Sequence, residues 1–305
     1  MKTLAMFPGQ GSQFVGMGKD LLDQFPYTKE VFEEAEDSAK LQIRKLCFEG
    51  PESDLRLTAN TQPSILALSV ATWKVLVEEA GFVPDFFAGH SLGEYSALVA
   101  AGRISFARAA YLVRRRGEFM QSAVPEGVGA MAAVMKVDYK ALEGFCKQVS
   151  VSGCRVDIAN YNSPQQLVVA GHAEAVAKLS DVLATEKARV KALAVSAPFH
   201  SRLMTPAKDA LRPLIEETEF QENGSKVFSN VLGSLGEYSK ELLIRQVDAP
   251  VRWLQIMDSC KELEITRCVE VGPGKVLTGL AKRALAPDTV LLYSDPIEET
   301  ISALS

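Results

Sequence analysis

Apolar positions along this chain recur at two spacings, and the switches between them outline the elements. A short apolar run at 3–7 reads as a buried strand that ends in the turn Gly9-Gln10-Gly11. Residues 12–48 carry a mostly helical pattern, and Pro51 and the polar run Asn60-Thr61-Gln62-Pro63 then break the chain. From about 64 to 80, Ile65, Leu68, Trp73, Leu76 and Val77 mark a helix that Gly81 stops. A strand is expected at 85–89, a helix at 92–101 ending before Gly102, and another helix at 105–122.

The texture changes near Pro125. The order becomes strand (130–135), helix (138–149), two strands (155–160 and 166–170), helix (173–185) and strand (189–195). That is the βαββαβ order of a ferredoxin-like unit, and strands at both ends suit it to insertion in a larger domain. After Ser196 the α/β texture resumes, with strands expected near 226–230 and 268–271 and a helix at 275–285 after Gly272-Pro273-Gly274. The chain therefore divides into a large α/β subdomain, residues 1–127 and 196–305, and a ferredoxin-like small subdomain, residues 128–195.

Composition narrows the class. The 305 residues are 47% hydrophobic and 23% charged, the balance of a globular protein rather than a disordered or collagen-like one. The formal charge of −5 argues against general nucleic-acid binding. No apolar run has membrane-span length, and the run at 3–7 is too short for a signal-peptide core. Five scattered cysteines without a CxxC pair fit a reducing cytoplasm. His90, His172 and His200 lack metal-ligand spacing, so no metal is expected.

Gly89-His90-Ser91-Leu92-Gly93 matches GxSxG between an expected strand and an expected helix. That setting is the one a nucleophile elbow requires, with the serine strained and aimed at a helix N-terminus. The competing reading is a tight βα turn with an incidental serine. A serine nucleophile needs a base. His90 leaves the elbow in another direction, and His172 lies in a polar turn of the small unit. His200 lies where the chain returns between subdomains, a place where clefts form, and is the preferred base. Asp138, Asp157 and Asp181 all fall in the ferredoxin-like unit without site context, which favours a Ser–His dyad held by a neutral acceptor.

Arg114-Arg115-Arg116 looks like one basic cluster, but helical geometry separates the three. Ala109, Val113, Arg116 and Met120 share a stripe, whereas Arg114 aligns with Glu118. An arginine on a buried stripe is rare without a partner. No internal acid stands out, so a ligand carboxylate or phosphate is the natural one. Gly9-Gln10-Gly11 is not a dinucleotide fingerprint, since Phe14 stands where the third glycine belongs. A backbone N–H of this loop, with the one after the nucleophile, suits an oxyanion hole.

With Phe-Pro-Gly-Gln-Gly-Ser-Gln at 7–13, Asn-Thr-Gln-Pro at 60–63, Gly-His-Ser-Leu-Gly-Glu-Tyr-Ser at 89–96, Arg116-Gly117, Asn-Tyr-Asn-Ser-Pro at 160–164, Pro-Phe-His at 198–200 and Glu-Val-Gly-Pro-Gly at 270–274, the chain resembles the malonyl-CoA:acyl carrier protein transacylases, acyltransferases of fatty acid and polyketide synthesis. The resemblance covers essentially the whole length. It implies an α/β-hydrolase-like large subdomain with the ferredoxin-like insertion. It also implies Ser91 as acyl acceptor, His200 as base, Arg116 as the malonyl carboxylate's partner, and the backbone N–H groups of Gln10 and Leu92 as the oxyanion hole. Gln246 matches the residue whose backbone carbonyl orients the histidine, and Phe199 and Leu92 match the malonyl-preferring acyl pocket. The implied partners are malonyl-CoA and acyl carrier protein, with no cofactor, and the chain is expected to be a monomer. Carrier proteins of this kind are acidic, so docking asks for a local basic patch, with Lys187, Arg189, Lys191, Arg114 and Arg115 as candidates. A serine esterase or thioesterase would share Ser91 and His200 but has no need of a buried arginine. A non-catalytic malonyl-CoA sensor would have no need of the Ser–His pair.

Overall fold

Two four-stranded sheets, one parallel and one antiparallel, organise the chain in the computed structural model, which describes residues 1–195, 197–222 and 224–305. The strands are β1 (Lys2–Phe7), β2 (Phe86–Gly89), β3 (Gly129–Met135), β4 (Val156–Ser163), β5 (Gln166–His172), β6 (Arg189–Ala192), β7 (Ile265–Glu270) and β8 (Val290–Tyr293). The parallel sheet has the order β2-β1-β7-β8. Its central strand β1 is apolar on both faces, as a strand covered by helices on each side must be. Ala5 and Phe7 pack into one core, with Trp73 of the helix Thr58–Ala80 against Phe7. Leu4 and Met6 point the other way, into a second core with Trp253, Met257 and Leu277.

The antiparallel sheet has the order β4-β5-β3-β6 and carries the helices Tyr139–Val149 and Ala173–Thr185. Asp138 caps the first of these, its carboxylate accepting from the N–H of Lys140 at 2.9 Å. The molecule is thus an α/β-hydrolase-like large subdomain with an inserted ferredoxin-like small subdomain. The antiparallel sheet is tied to the segment before the helix Trp253–Glu262, where Asn160 of β4 bridges to Val251 and the Val251 N–H donates to the Ala159 carbonyl at 2.8 Å. Ser196, at the expected return to the large subdomain, lies outside the described residues.

Four local readings are corrected. The run at 60–63 does not break the chain but lies inside the helix Thr58–Ala80. Pro63 removes the N–H that would meet the Ala59 carbonyl, and Arg114 Nη1 fills that vacancy at 3.0 Å. Residues 226–230 make two isolated bridges, Val227 to Phe87 and Ser229 to Ser234, rather than a strand. The ladder ends because Asn230 turns its N–H inward to Glu94 instead of along the sheet. β6 stops at Ala192, although the Leu193 N–H still reaches the Met131 carbonyl at 3.0 Å. β8, a short half-buried edge strand, had no counterpart in the sequence pattern.

Candidate active site

Parallel strands β1, β2 and β7 all point their C-terminal ends at one edge of the large sheet, the edge where ligands bind in open α/β folds. β1 runs into the Gly9 loop and β2 into Ser91. Ser91 adopts φ 53°, a left-handed conformation that a non-glycine residue holds only under constraint. The constraint is tight packing around it. A Cβ on Gly93 would lie 2.0 Å from the Phe7 carbonyl oxygen, so the turn closes directly onto β1.

His200 also sits at positive φ, 57°, and its Nε2 lies 2.7 Å from Ser91 Oγ. Its Nδ1 faces two carbonyl oxygens, Gln246 at 3.0 Å and Ala249 at 3.1 Å. Carbonyls only accept, so Nδ1 carries the proton and Nε2 is free to accept from the serine hydroxyl. Among the described residues no aspartate completes a triad at this histidine. Burial, the Arg116 charge and His90 push the His200 imidazole down to about 3, which keeps it neutral.

Arg116 is 1% exposed, on the stripe with Ala109, Val113 and Met120. Its partners are neutral. Nη1 donates to Gln62 Oε1 at 2.8 Å, and Nη2 donates to Gln246 Oε1 at 2.9 Å and to Ser91 Oγ at 3.1 Å. Nε has no partner among the described residues. Arg114 and Arg115 are engaged elsewhere: Arg114 pairs with Glu118 at 2.9 Å and with Asn60, and Arg115 also pairs with Glu118.

The cavity around these groups is lined by Gln10, Gln62, Leu92, Met120 and Phe199 from the large subdomain, and by Met131, Asn160, Leu193 and Val195 from the small one. Gly9 runs so close to the His90 carbonyl that a Cβ there would lie 2.4 Å from its oxygen, which sets Gln10 beside the elbow, and neither the Gln10 nor the Leu92 N–H has a partner among the described residues. His90 lines the cavity too, but its Nε2 is tied to Asn162 Oδ1 at 2.8 Å. His172 lies far along the small sheet, accepting from the Arg155 N–H. Among the described residues no group of three or more His, Cys, Asp or Glu is placed to hold a metal ion. Gln62, Glu94, Asn230 and Tyr238 were not singled out from sequence. Gln62 lies in the polar run 60–63, which reads as a chain break, and Glu94 directly follows the GxSxG motif with no spacing signal of its own.

Residues 6–289 match the model of the acyl transferase domain. The chain belongs to the acyl transferase family, among the malonyl CoA-acyl carrier protein transacylases. Over an alignment of 305 positions it is 44% identical to the transacylase of Bacillus subtilis (strain 168), covering 98% of this chain and 95% of that one. The crystal structure of the Xanthomonas oryzae pv. oryzae transacylase superposes with a TM-score of 0.95 at 38% identity, over 100% of this chain and 98% of the other. A malonyl-transacylase solved in complex with its type II PKS acyl-carrier protein superposes with a TM-score of 0.94 at 41% identity, over 100% and 99%. Among the described residues of this transacylase no helix is long and apolar enough to cross a membrane.

Proposed function

We propose that this chain moves a malonyl group from coenzyme A to the phosphopantetheine thiol of acyl carrier protein, supplying fatty acid synthesis, through an ester on Ser91. The observation that carries the residue assignment is the convergence of Nε2 of His200 and Nη2 of Arg116 on one oxygen, Ser91 Oγ. The histidine is a base for that oxygen. The arginine is a buried cation with no carboxylate within hydrogen-bonding distance among the described residues, so a malonyl carboxylate is its complement.

His200 takes the hydroxyl proton as Oγ attacks the thioester carbonyl. The Gln10 and Leu92 N–H groups receive the oxyanion. CoA leaves as a thiol with the proton from His200, and the ester remains. The carrier's thiol then gives its proton to the same nitrogen and takes the malonyl group by the reverse sequence. Phe199 and Leu92 bound the acyl pocket. The Gln246 carbonyl orients His200, as the absent aspartate would elsewhere. A thioesterase shares this Ser–His pair but gives the buried arginine no task.

The small subdomain is drawn at 128–195, within 1–127 and 196–305. A cytoplasmic setting is the accompanying reading, supported by the free cysteines, and a monomer is proposed with it. Intact-protein mass spectrometry after mixing with malonyl-CoA tests the function. A malonyl adduct should form on Ser91, disappear on adding carrier protein, and be absent from Ser91→Ala; an adduct on that variant refutes the assignment. His200→Ala should slow transfer by roughly 10²–10⁴-fold, the worth of a general base.

A further inference from the structure

One fully buried ionisable group beside the site has no task in this chemistry. Glu94 stands in the first turn of the helix Gly93–Ala100, three residues after Ser91. Its Oε1 accepts from the Asn230 N–H at 3.1 Å and the Tyr238 hydroxyl at 2.8 Å, and its Oε2 accepts from Gln246 Nε2 at 2.7 Å. Both Asn230 and Gln246 go on to touch the elbow. Asn230 Oδ1 accepts from the Ser91 N–H at 2.7 Å, and Gln246 Nε2 donates to the Ser91 carbonyl at 2.7 Å.

We propose that Glu94 is a positioning residue for malonyl selection: by accepting from the Gln246 amide, it fixes which end of that amide faces Arg116. An amide can present either an oxygen or an NH₂ group to a guanidinium. Here both Nε2 partners, Glu94 Oε2 and the Ser91 carbonyl, are acceptors. The nitrogen is therefore committed, and Oε1 is the end left for Arg116 Nη2. This holds for the carboxylate, and equally for the acid with its proton on Oε1 toward the Tyr238 oxygen. Arg116 is thereby held in place by neutral groups, Gln62 and Gln246, with its charge left for a ligand. The proposal rests on the reading that Arg116 receives the malonyl carboxylate.

Glu94→Gln tests it with nearly unchanged shape. The backbone N–H of Asn230 still demands an acceptor, so the new amide nitrogen takes the place of Oε2, against Gln246 Nε2. Gln246 then keeps only the Ser91 carbonyl against a facing NH₂, or flips and aims its own NH₂ at Arg116, and in either case its oxygen is no longer fixed toward the guanidinium. The kcat/KM of wild type and variant is measured for malonyl-CoA and for acetyl-CoA, which has no carboxylate. The malonyl-to-acetyl ratio should fall by about 10- to 100-fold, the effect of one buried donor left without an acceptor. A structural lesion would shrink the active fraction and lower both thioesters alike, leaving the ratio unchanged, and that result overturns the proposal. If Glu94→Gln does not fold, Tyr238→Phe takes over, because it loosens Glu94 from outside the site. It should lower the ratio by a smaller factor, and an unmoved ratio overturns the proposal. Failure of wild type to form any malonyl ester would instead overturn the functional reading, and this proposal with it.

Discussion

Arg116 illustrates how one side chain carries specificity. A buried guanidinium whose hydrogen-bond acceptors are all neutral lacks a direct counter-charge, Glu94 lying one amide away behind Gln246, and a malonyl carboxylate supplies one. Arg116→Ala should therefore cost malonyl transfer about 2–5 kcal/mol, roughly 30- to 5000-fold, the usual effect of removing one side of a desolvated pair. Acetyl transfer should lose far less, and Arg116→Lys should recover only part, since an ammonium cannot make the planar fork. The ratio of kcat/KM for the two thioesters checks this; equal losses would make Arg116 structural. His200 sets the pH response. A base must be neutral to act, and burial, Arg116 and His90 hold this imidazole at about 3. The acid limb of kcat/KM for malonylation should then lie well below pH 6.5, the ordinary histidine value. A limb centred at the ordinary value would show that the site is wetter than its burial implies. Ser91, His200 and Arg116 were legible in the sequence because each broke a pattern: a serine between glycines, a histidine at a subdomain return, an arginine on an apolar stripe. Glu94 was not legible, because its partners Asn230, Tyr238 and Gln246 lie 136 to 152 residues away.

At the scale of elements, the ferredoxin-like unit was readable because each strand and helix buries its own apolar face. The helix Thr58–Ala80 was not, since the signal at Pro63 is local and its compensation is not. Arg114 comes from another helix, Phe106–Ser122, to satisfy the Ala59 carbonyl that the proline strands. Arg114→Ala should accordingly destabilise the fold by about 1–3 kcal/mol, the cost of a polar group left unpaired, beyond the small value of its pair with Glu118. Urea denaturation of Arg114→Ala and Glu118→Ala separates the two, and equal midpoints would show that the carbonyl contact contributes nothing. The segment at 226–230 teaches the converse. Its apolar pattern was strand-like, but Asn230 serves the elbow, and a residue whose N–H points inward cannot extend a ladder.

For the whole molecule, the net charge of −5 opposes an acidic partner, so approach depends on where the positive charges lie. Lys187, Arg189 and Lys191 are exposed at and beside the edge strand β6, and no acidic partner for them is found among the described residues. Affinity for acyl carrier protein should fall as salt rises, because screening shortens to about 8 Å at physiological ionic strength. Replacing all three by alanine should weaken binding at low salt and flatten that dependence. Titrations of wild type and variant at several salt concentrations would expose a salt-independent, apolar docking mode.

Ser91 lies on the large sheet beneath Met131, Leu193 and Val195 of the small subdomain, so both thiols must reach it through the same cleft. That shared approach imposes a traffic rule. Unloaded carrier crowds out malonyl-CoA on the free enzyme, and free CoA returns to the loaded one. Turnover should therefore rise and then fall as carrier protein increases at fixed malonyl-CoA, and extra malonyl-CoA should restore it. A steady-state rate surface over both concentrations would reveal a plateau in place of that fall if the two had separate ways in. Output would then follow the ratio of malonyl donor to carrier acceptor more closely than the abundance of either.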